Sequence, residues 1–517
     1  MQPMLLDHIL HKNATDPGLG DKIALICGEN TLTYAQINQQ VNRLGNALVQ
    51  RGVEHGDRVG ILGRNSDTHV LIYFALARIG AVAVPINFWY KSQEIHYTLE
   101  QSGCSALLAD GQFEAAIAPL QQQLPALRWT LYYGEKPVPQ APSLEEVMAA
   151  AAATDPGIQV DENDPHIVLY TSGTTGFPKG ATFSHRSHYV HALSLATTTG
   201  GQADDVGVVV YPLFHTGGPD CLVLPHFLLG ATLVILDGGD PDDILALTQR
   251  HRVTNIFCVP TIWRRLLARL RERDYDVSSV RRCLGSSDTF PADLLDELLQ
   301  HFDAEVYVTY GLTEAGCLLT VCRLTRQDRS KLGSVGRPMP IVELTLMDEN
   351  GHPAAPGEVG QVAVRTPGMM NDYWNMPERT AEALREGWLY SGDMGRLDEQ
   401  GYLYLVGRAK DMIISGGENI YPLEIERLLK ENPQILDVAV VGVPDREWGE
   451  SVLAVVVPAP GAALTQETII NYVRQRLAGY KKPRYVELVN ALPVTTATGK
   501  VQKAVLRQRY AEKYGTK

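Results

Sequence analysis

Hydroxyl, glycine and lysine side chains are concentrated in one short segment that follows the apolar residues 167–169. Residues 170–180 read Tyr-Thr-Ser-Gly-Thr-Thr-Gly-Phe-Pro-Lys-Gly. Glycines let backbone N–H groups approach phosphate oxygens, hydroxyl groups donate hydrogen bonds, and Lys179 adds a positive charge. A surface turn needs glycine or proline but gains nothing from four hydroxyl groups and a lysine together. The segment therefore predicts a phosphate-binding loop, with these contacting residues: Thr171, Ser172, Gly173, Thr174, Thr175, Gly176 and Lys179.

This loop differs from the P-loop of common nucleotide hydrolases. The Gly-Lys-Ser/Thr sequence is missing, and Pro178 lacks the N–H group that a P-loop needs there. A different kind of phosphate chemistry is therefore expected.

The composition excludes several other classes of protein. A formal charge of -13 over 517 residues argues against a nucleic-acid partner, which requires a concentrated basic face. The seven cysteines form no CxxC pair, so they indicate buried thiols in a reducing compartment. The start of the chain has no targeting pattern, and the apolar stretch 221–236 is too short and too interrupted to span a bilayer. We therefore expect a cytoplasmic enzyme with no transmembrane segment.

The elements that must position the loop follow an α/β rhythm. A helix-length segment at 34–51 alternates with short apolar runs at 58–62 and 81–85, which is typical of parallel sheets with crossover helices. The stretch from about 333 to 408 is rich in strand and turn signals, and the tail has its own strand patterns at 438–443 and 451–457. The chain is therefore expected to form several structural units.

Five further motifs follow the loop in one order, at 310–314 (Tyr-Gly-Leu-Thr-Glu), 333–338, 390–393, 407–411 and 493–500. An isolated glutamate or aspartate in such a segment is usually a cap or a solvated turn residue. The ordered set, however, resembles the adenylate-forming superfamily of acyl- and aryl-CoA synthetases, nonribosomal adenylation domains and beetle luciferases. This resemblance covers nearly the whole chain.

The resemblance implies an α/β fold with a mobile end. Residues 1–409 would form a large N-terminal domain of two α/β subdomains and a small β subdomain at about 333–408. Residues 410–517 would form a small, mobile α+β C-terminal domain. Lys410, otherwise an ordinary linker residue, would be the hinge between them.

The resemblance also implies the reaction and its cofactors. A carboxylate would attack the α-phosphate of ATP, pyrophosphate would leave, and coenzyme A would then accept the acyl group. Mg²⁺ would be held by Glu314 and Thr174, and the cation of Lys500 would bridge the carboxylate and the α-phosphate. Tyr310 would lie against adenine and Asp393 would accept the ribose hydroxyls. The nucleotide-binding residues implied beyond the loop are Gly285, Ser286, Ser287, Tyr310, Gly311, Thr313, Asp393 and Arg408.

Two simpler interpretations stand beside these roles. Lys500 can be an exposed tail lysine, and Arg408 can be a surface salt-bridge partner of little energetic weight.

The resemblance also implies a site for coenzyme A. After rotation of the C-terminal domain, Ser415, Gly416 and Gly417 would face the site and leave room for the pantetheine arm of coenzyme A.

The acyl pocket is also implied by family position. Its residues would be His215, which would gate the thiol entry and act in catalysis, together with Gly217, Trp263, Gly316 and Cys317. Trp263 can equally belong to a helix core. Relatives that activate amino acids usually carry Phe-Asp where this chain has Phe-His at 214–215, so an acid without an amine is favoured.

The glycines leave volume for a fatty acid of medium or long chain, an aromatic acid or an alicyclic acid. The expected partners are thus small molecules: the acid, ATP and CoA. The alternative is a stand-alone adenylating enzyme that loads a carrier protein. A homodimer is one open option for the oligomeric state.

Overall fold

A computed structural model describes residues 3–139, 141–171, 178–286, 290–355, 357–494 and 501–514. Its α-helices are α1 Leu6–Thr15, α2 Tyr34–Gln50, α3 Asp67–Arg78, α4 Ser92–Ser102, α5 Glu114–Ile117, α6 Leu144–Ala150, α7 His185–Thr198, α8 Leu224–Leu229, α9 Pro241–His251, α10 Pro260–Glu272, α11 Ala292–His301, α12 Pro377–Ala383, α13 Pro422–Lys430, α14 Gln466–Arg474 and α15 Lys503–Tyr514.

The strands are β1 Ile23–Cys27, β2 Asn30–Thr33, β3 Arg58–Leu62, β4 Val82–Pro85, β5 Ala106–Asp110, β6 Trp129–Tyr133, β7 Pro165–Thr171, β8 Lys179–Ser184, β9 Val206–Val209, β10 Thr232–Ile235, β11 Asn255–Cys258, β12 Arg282–Gly285, β13 Glu305–Tyr310, β14 Thr320–Leu324, β15 Arg337–Pro338, β16 Glu343–Met347, β17 Gly360–Arg365, β18 Asp372–Tyr373, β19 Leu384–Arg385, β20 Trp388–Leu397, β21 Leu403–Arg408, β22 Ile413–Ser415, β23 Glu418–Ile420, β24 Ile435–Asp445, β25 Gly449–Pro458 and β26 Tyr485–Leu488.

The described residues within 1–344 and 364–389 form one compact unit. It contains a nine-stranded sheet of order β15-β14-β13-β12-β11-β9-β10-β1-β2 and a seven-stranded sheet of order β18-β8-β7-β4-β3-β5-β6. Most neighbouring strands are parallel, as crossover helices require. The predicted α/β fold is thus confirmed.

Helix α3 explains how the two large sheets share one core. It contacts β4 of the seven-stranded sheet and β1 of the nine-stranded sheet. Nearly every residue from His69 to Arg78 is buried, which is typical of a helix enclosed on all sides. Helix α2, predicted at 34–51, begins with a capping box in which Thr33 and Gln36 satisfy each other's backbone N–H groups.

The apolar stretch 221–236 belongs to this core. It forms the end of a π-helical turn at Pro219–Val223, then helix α8 and strand β10. Within the described residues, no helix combines the length and the apolar character needed to cross a membrane.

The described residues within 345–363 and 390–517 form a second compact unit. The long antiparallel pair β24–β25 is its centre, and alternate residues point to opposite faces. Val440 and Val452 belong to the core cluster that includes residues of α13 and α14, whereas Val441 and Leu453 pack with residues of α15. This unit therefore has a core on both faces of its sheet.

A further five-stranded sheet has the order β16-β17-β20-β19, with β21 paired to β20. It accounts for the strand-rich texture predicted at 333–408. The limits of the compact units fall within β16, β17 and β20. The domain boundary at 409/410 stays a prediction.

Candidate active site

The hairpin β7–β8 carries the two ends of the predicted phosphate-binding loop. Thr171 is the last residue of β7 and Lys179 the first of β8, and they are partners across the hairpin. The predicted loop residues between them lie outside the described residues: Ser172, Gly173, Thr174, Thr175 and Gly176. The hairpin therefore fixes where the loop begins and ends.

Glu314 lies beside both ends of this loop. Its Oε1 accepts hydrogen bonds from the Tyr373 hydroxyl at 2.8 Å and from Thr171 Oγ1 at 3.3 Å. Lys179 Nζ lies 4.2 Å from the centre of the Tyr373 ring, a cation–π contact. Three residues predicted from two separate motifs thus share one cluster with a fourth residue. We call it the phosphate-side cluster: Thr171, Lys179, Glu314 and Tyr373.

Tyr373 is the member of this cluster that the sequence did not predict. It lies on the two-residue strand β18, which pairs with β8 so that Tyr373 is opposite Ala181. Burial and the neighbouring Glu314 carboxylate raise the pKa of Tyr373, so its hydroxyl stays protonated and donates. A pairing between segments almost 200 residues apart leaves no local spacing pattern that would have revealed it.

The backbone around Glu314 is tightly fixed. Thr313 and Glu314 lie in a short 3₁₀ turn, and the N–H of Met370 donates to the carbonyl of Glu314 at 2.8 Å. A Cβ atom on Gly311 would lie 1.7 Å from the carbonyl oxygen of Cys317. Gly311 is therefore required by close backbone packing inside this loop, as a side chain cannot fit.

The predicted adenine-binding residues come from the neighbouring parallel strands β12 and β13. Gly285 and Ser286 are at the end of β12, Tyr310 is at the end of β13, and Thr309 Oγ1 donates to the carbonyl of Gly285 at 3.0 Å. Ser286 and Tyr310 are both buried. The carboxyl ends of adjacent parallel strands meet at one sheet edge, where ligands of α/β proteins commonly bind. Ser287 lies outside the described residues.

The backbone of the predicted acyl-pocket loop at 211–218 is held by the side chain of Asn65. Asn65 donates to the carbonyl of Tyr211 at 2.9 Å and accepts from the N–H of Leu213 at 2.8 Å. The N–H of Gly217 donates to His215 Nδ1 at 3.1 Å, so the neutral imidazole carries its proton on Nε2. A Cβ atom on Gly217 would lie 2.9 Å from the Tyr211 ring. The loop therefore presents His215 in a defined orientation.

Thr216 of this loop belongs to a group of buried polar residues that the sequence did not reveal. Thr216 donates to Asp220 at 2.5 Å, Asp220 Oδ1 lies 3.0 Å from His188 Nδ1, and His188 lies 3.0 Å from His166 Nε2. Burial raises the pKa of Asp220 to about 7 and lowers the pKa of His188 well below its usual value. We call these residues the acyl-side cluster: His166, His188, Thr216 and Asp220. Burial therefore shifts both Asp220 and His188 toward their uncharged forms.

Trp263 belongs to the helix core. It is fully buried in α10, its indole N–H donates to the carbonyl of Leu284 at 3.0 Å, and its ring contacts Phe302 edge to face. This favours the helix-core alternative over a pocket-lining role. Gly316 and Cys317, by contrast, follow Glu314 after one intervening residue, Ala315, and both have positive φ angles, +86° and +106°.

The second unit holds the predicted ribose-binding pair. Asp393 on β20 is opposite Arg408 on β21, and Arg408 Nε donates to Asp393 Oδ1 at 3.0 Å. The N–H of Asp393 also donates to Ser391 Oγ at 3.0 Å. The Asp393 side chain is largely buried and Arg408 is about half exposed. Pairing across two strands therefore brings these two residues together.

The predicted hinge and CoA-binding residues lie in the same unit. Lys410 is in a 3₁₀ turn at Ala409–Asp411, where burial and Arg408 lower its pKa. Ser415 is the last residue of β22. Gly416 has a φ angle of +61°, and its backbone N–H donates a hydrogen bond to the carbonyl of Trp448 at 2.9 Å. Gly417, at φ +84°, has open space where a side chain would lie. Lys500 lies outside the described residues.

Comparisons with known proteins show the family of the chain. Residues 11–374 match the family model "AMP-binding enzyme" and residues 424–500 match "AMP-binding enzyme C-terminal domain". The chain is 38% identical over 491 residues to a feruloyl-CoA synthase from an Amycolatopsis species, covering 93% of this chain and 95% of that protein. It is also 38% identical over 502 residues to an indoleacetate–CoA ligase from Aromatoleum aromaticum, covering 96% of each chain.

A solved structure extends the likeness to the fold. The anthranilate CoA ligase AuaEII, in complex with anthranoyl-AMP, superimposes with a TM-score of 0.90 at 29% identity and 98% coverage of both chains. The chain therefore belongs to the AMP-binding enzyme family, the adenylate-forming superfamily that the ordered motifs indicated. The expectation of an enzyme, an AMP-forming acid–thiol ligase that uses ATP and CoA, is confirmed with it.

Proposed function

We propose that the protein activates a compact aromatic carboxylic acid as its adenylate and transfers the acyl group to coenzyme A. The observation that carries the proposal is the phosphate-side cluster, which gathers a lysine, a carboxylate and two hydroxyls at the ends of the phosphate-binding loop. The aromatic class is supported by two relatives, both 38% identical, whose names specify ferulate and indoleacetate. We keep the cytoplasm as its predicted location.

The phosphate-side cluster suits the first half-reaction. The transition state at the α-phosphate is highly anionic, so Lys179 stabilises it through its charge. Glu314 is a single carboxylate with a hydroxyl beside it, which fits Mg²⁺, an ion that usually keeps several waters and uses one or two protein carboxylates plus phosphates. The metal would neutralise phosphate charge. Tyr373 orients the Glu314 carboxylate, and Thr174 is its predicted companion as ligand.

The remaining roles follow the family resemblance. Asp393 accepts hydrogen bonds from the ribose hydroxyls while Arg408 orients its carboxylate. Lys500 is the catalytic lysine, Lys410 the hinge, and the open space at Gly417 lets the pantetheine arm pass close to the backbone.

His215 gives the acyl side its polar contact. With Nδ1 accepting from Gly217, the remaining imidazole nitrogen carries a proton and can orient the substrate carboxylate or shield it from water. Tyr211 and Phe257, whose ring centres are 4.8 Å apart, supply aromatic surface beside it. These surroundings favour an aromatic ring over a charged tail.

The test is to measure pyrophosphate release and AMP formation with hydroxycinnamic, arylacetic, benzoic, alicyclic, fatty and amino acids, each with and without CoA. We expect the aromatic acids to give pyrophosphate, and AMP with thioester only when CoA is present. Fatty acids as the best substrates would overturn the aromatic class. Turnover that CoA leaves unchanged would point to a carrier-protein acceptor.

The assignment of Lys500 has its own test. Lys500→Ala should abolish pyrophosphate release from ATP and acid, because the cation that joins the two reactants is lost. The same variant should still convert supplied acyl-AMP and CoA to thioester. Equal loss of both half-reactions would refute this role.

A further inference from the structure

Cys317 has a backbone conformation that its side chain does not favour. Its φ angle is +106°, and among the described residues only Arg252, Asn375 and Glu386 also have positive φ without being glycine. Such a conformation is strained for a residue with a Cβ atom and is often found at functional sites. Glycine would fit this position without strain, so the cysteine side chain should have a purpose there.

The thiol of Cys317 meets a second buried thiol. Its Sγ lies 2.7 Å from Sγ of Cys221, which comes from the π-helical turn Pro219–Val223. Both side chains are buried, and burial raises the pKa of Cys221, which keeps that thiol protonated. The two sulfur atoms are in direct contact and leave no passage between them.

A small cavity borders one of these two thiols, that of Cys221. Cys221 forms part of its wall together with Phe257 and Leu284, and its volume is about 30 Å³. Its lining also includes Arg282 and Asp205, which form a buried ion pair. A water molecule needs about 10–15 Å³ of such space, so the cavity has room for at most two or three.

We infer that the Cys221–Cys317 contact is the floor of the acyl pocket and sets the length of acid that the enzyme accepts. This inference rests on the proposed function, since it takes the loop that contains Cys317 as part of the acyl site. An aromatic acid ends above the two thiols. A longer alkyl chain must displace them and enter a cavity too small for it.

Two substitutions test the floor from opposite sides. Cys317→Gly suits φ +106° and removes one thiol, and Cys221→Ala removes the other. For each variant, kcat/KM is measured with decanoate and with a hydroxycinnamic acid, with a thiol reductant present. We expect the decanoate-to-hydroxycinnamate ratio to rise about 10-fold, within the range that one methylene contributes in an apolar pocket.

The matched control is Cys322→Ala. Cys322 is also buried and lies on β14, but it does not line the cavity. It should leave the ratio unchanged, whereas the double variant Cys221→Ala/Cys317→Gly should raise it furthest. A ratio within about two-fold of wild type in both single variants would overturn the floor. A wild type without thioester product from any acid would instead contradict the proposed function.

Discussion

The phosphate-side and acyl-side clusters of the first unit differ in how deeply their ionisable groups are buried and in how far burial shifts those groups toward the uncharged form. Glu314 and Lys179, with formal charges of opposite sign, are only half-buried. Asp220 and His188 are fully enclosed, and burial shifts both pKa values toward the uncharged form. The contrast teaches that the molecule leaves charge partly accessible on the side we propose for the phosphates and shifts enclosed groups toward neutrality on the side we propose for the acyl group.

Removing charge from the phosphate side should have the largest effect. Glu314→Gln keeps the shape of the side chain but loses the carboxylate that fits Mg²⁺. We expect pyrophosphate release to fall by roughly 100- to 1000-fold, the usual cost of losing one transition-state stabilising group.

The control for Glu314 is Glu305→Gln. Glu305 also accepts from a tyrosine hydroxyl, that of Tyr307, and pairs with Arg323 at the start of strand β13. Its loss should change the rate by less than about three-fold, because it has no place in the proposed site. Similar losses in both variants would erase the contrast between the two regions.

Replacing the buried acid on the acyl side should change the pH dependence of stability. The pKa of Asp220 is raised to about 7 in the folded protein, from about 3.9 in an unfolded chain. Between these values the folded state binds more protons, so the contribution of Asp220 to stability is present at low pH and is lost as the pH rises to about 7. In the Asp220→Asn variant this loss of stability with rising pH should be absent.

The measurement is the melting temperature of both proteins between pH 5 and pH 8. The difference, variant minus wild type, should increase with pH by about 5–10 °C, because the two pKa values imply about 2–3 kcal/mol over this range and each kcal/mol corresponds to about 2–4 °C in a large domain. Asp243→Asn, at an exposed position of α9, is the control and should give no such trend. A difference that is flat in pH would mean that Asp220 is ionised throughout.

Removing one hydroxyl from the phosphate side should have the smallest effect. Tyr373→Phe leaves the ring beneath Lys179 but deletes the hydrogen bond to Glu314. We expect pyrophosphate release to fall about 3- to 10-fold with a higher Mg²⁺ requirement, because a single hydrogen bond contributes about 0.5–1.5 kcal/mol. The Mg²⁺ requirement is measured by titrating Mg²⁺ at saturating ATP and following pyrophosphate release.

Tyr275→Phe is a matched control for this change. Its hydroxyl donates to Asp242 Oδ1 at 2.8 Å, the same kind of bond in a helical surface region. An unchanged Mg²⁺ requirement in Tyr373→Phe would show that the hydroxyl does not orient Glu314.

The sequence predicted the parts of the site that local patterns encode. Lys179 and Glu314 lie in compact motifs, and the strand pair β24–β25 follows from two long β-branched runs. Tyr373 and Asp220 could not be predicted in this way, because strand pairing and helix packing across more than 30 residues bring them to their partners. Trp263 was ambiguous because a buried indole suits both a core and a pocket.

The contact between Gly311 and the carbonyl of Cys317 has a consequence for how substrate range can change. The single backbone segment 310–317 carries residues of the proposed nucleotide side and Cys317 of the proposed pocket floor. No side chain fits between the backbone at Gly311 and the backbone at Cys317. Insertions or loop exchanges here would disturb ATP binding together with acid binding. New acid preferences in descendants of this chain should therefore arise by exchange of side chains on a fixed backbone, one or two atoms at a time.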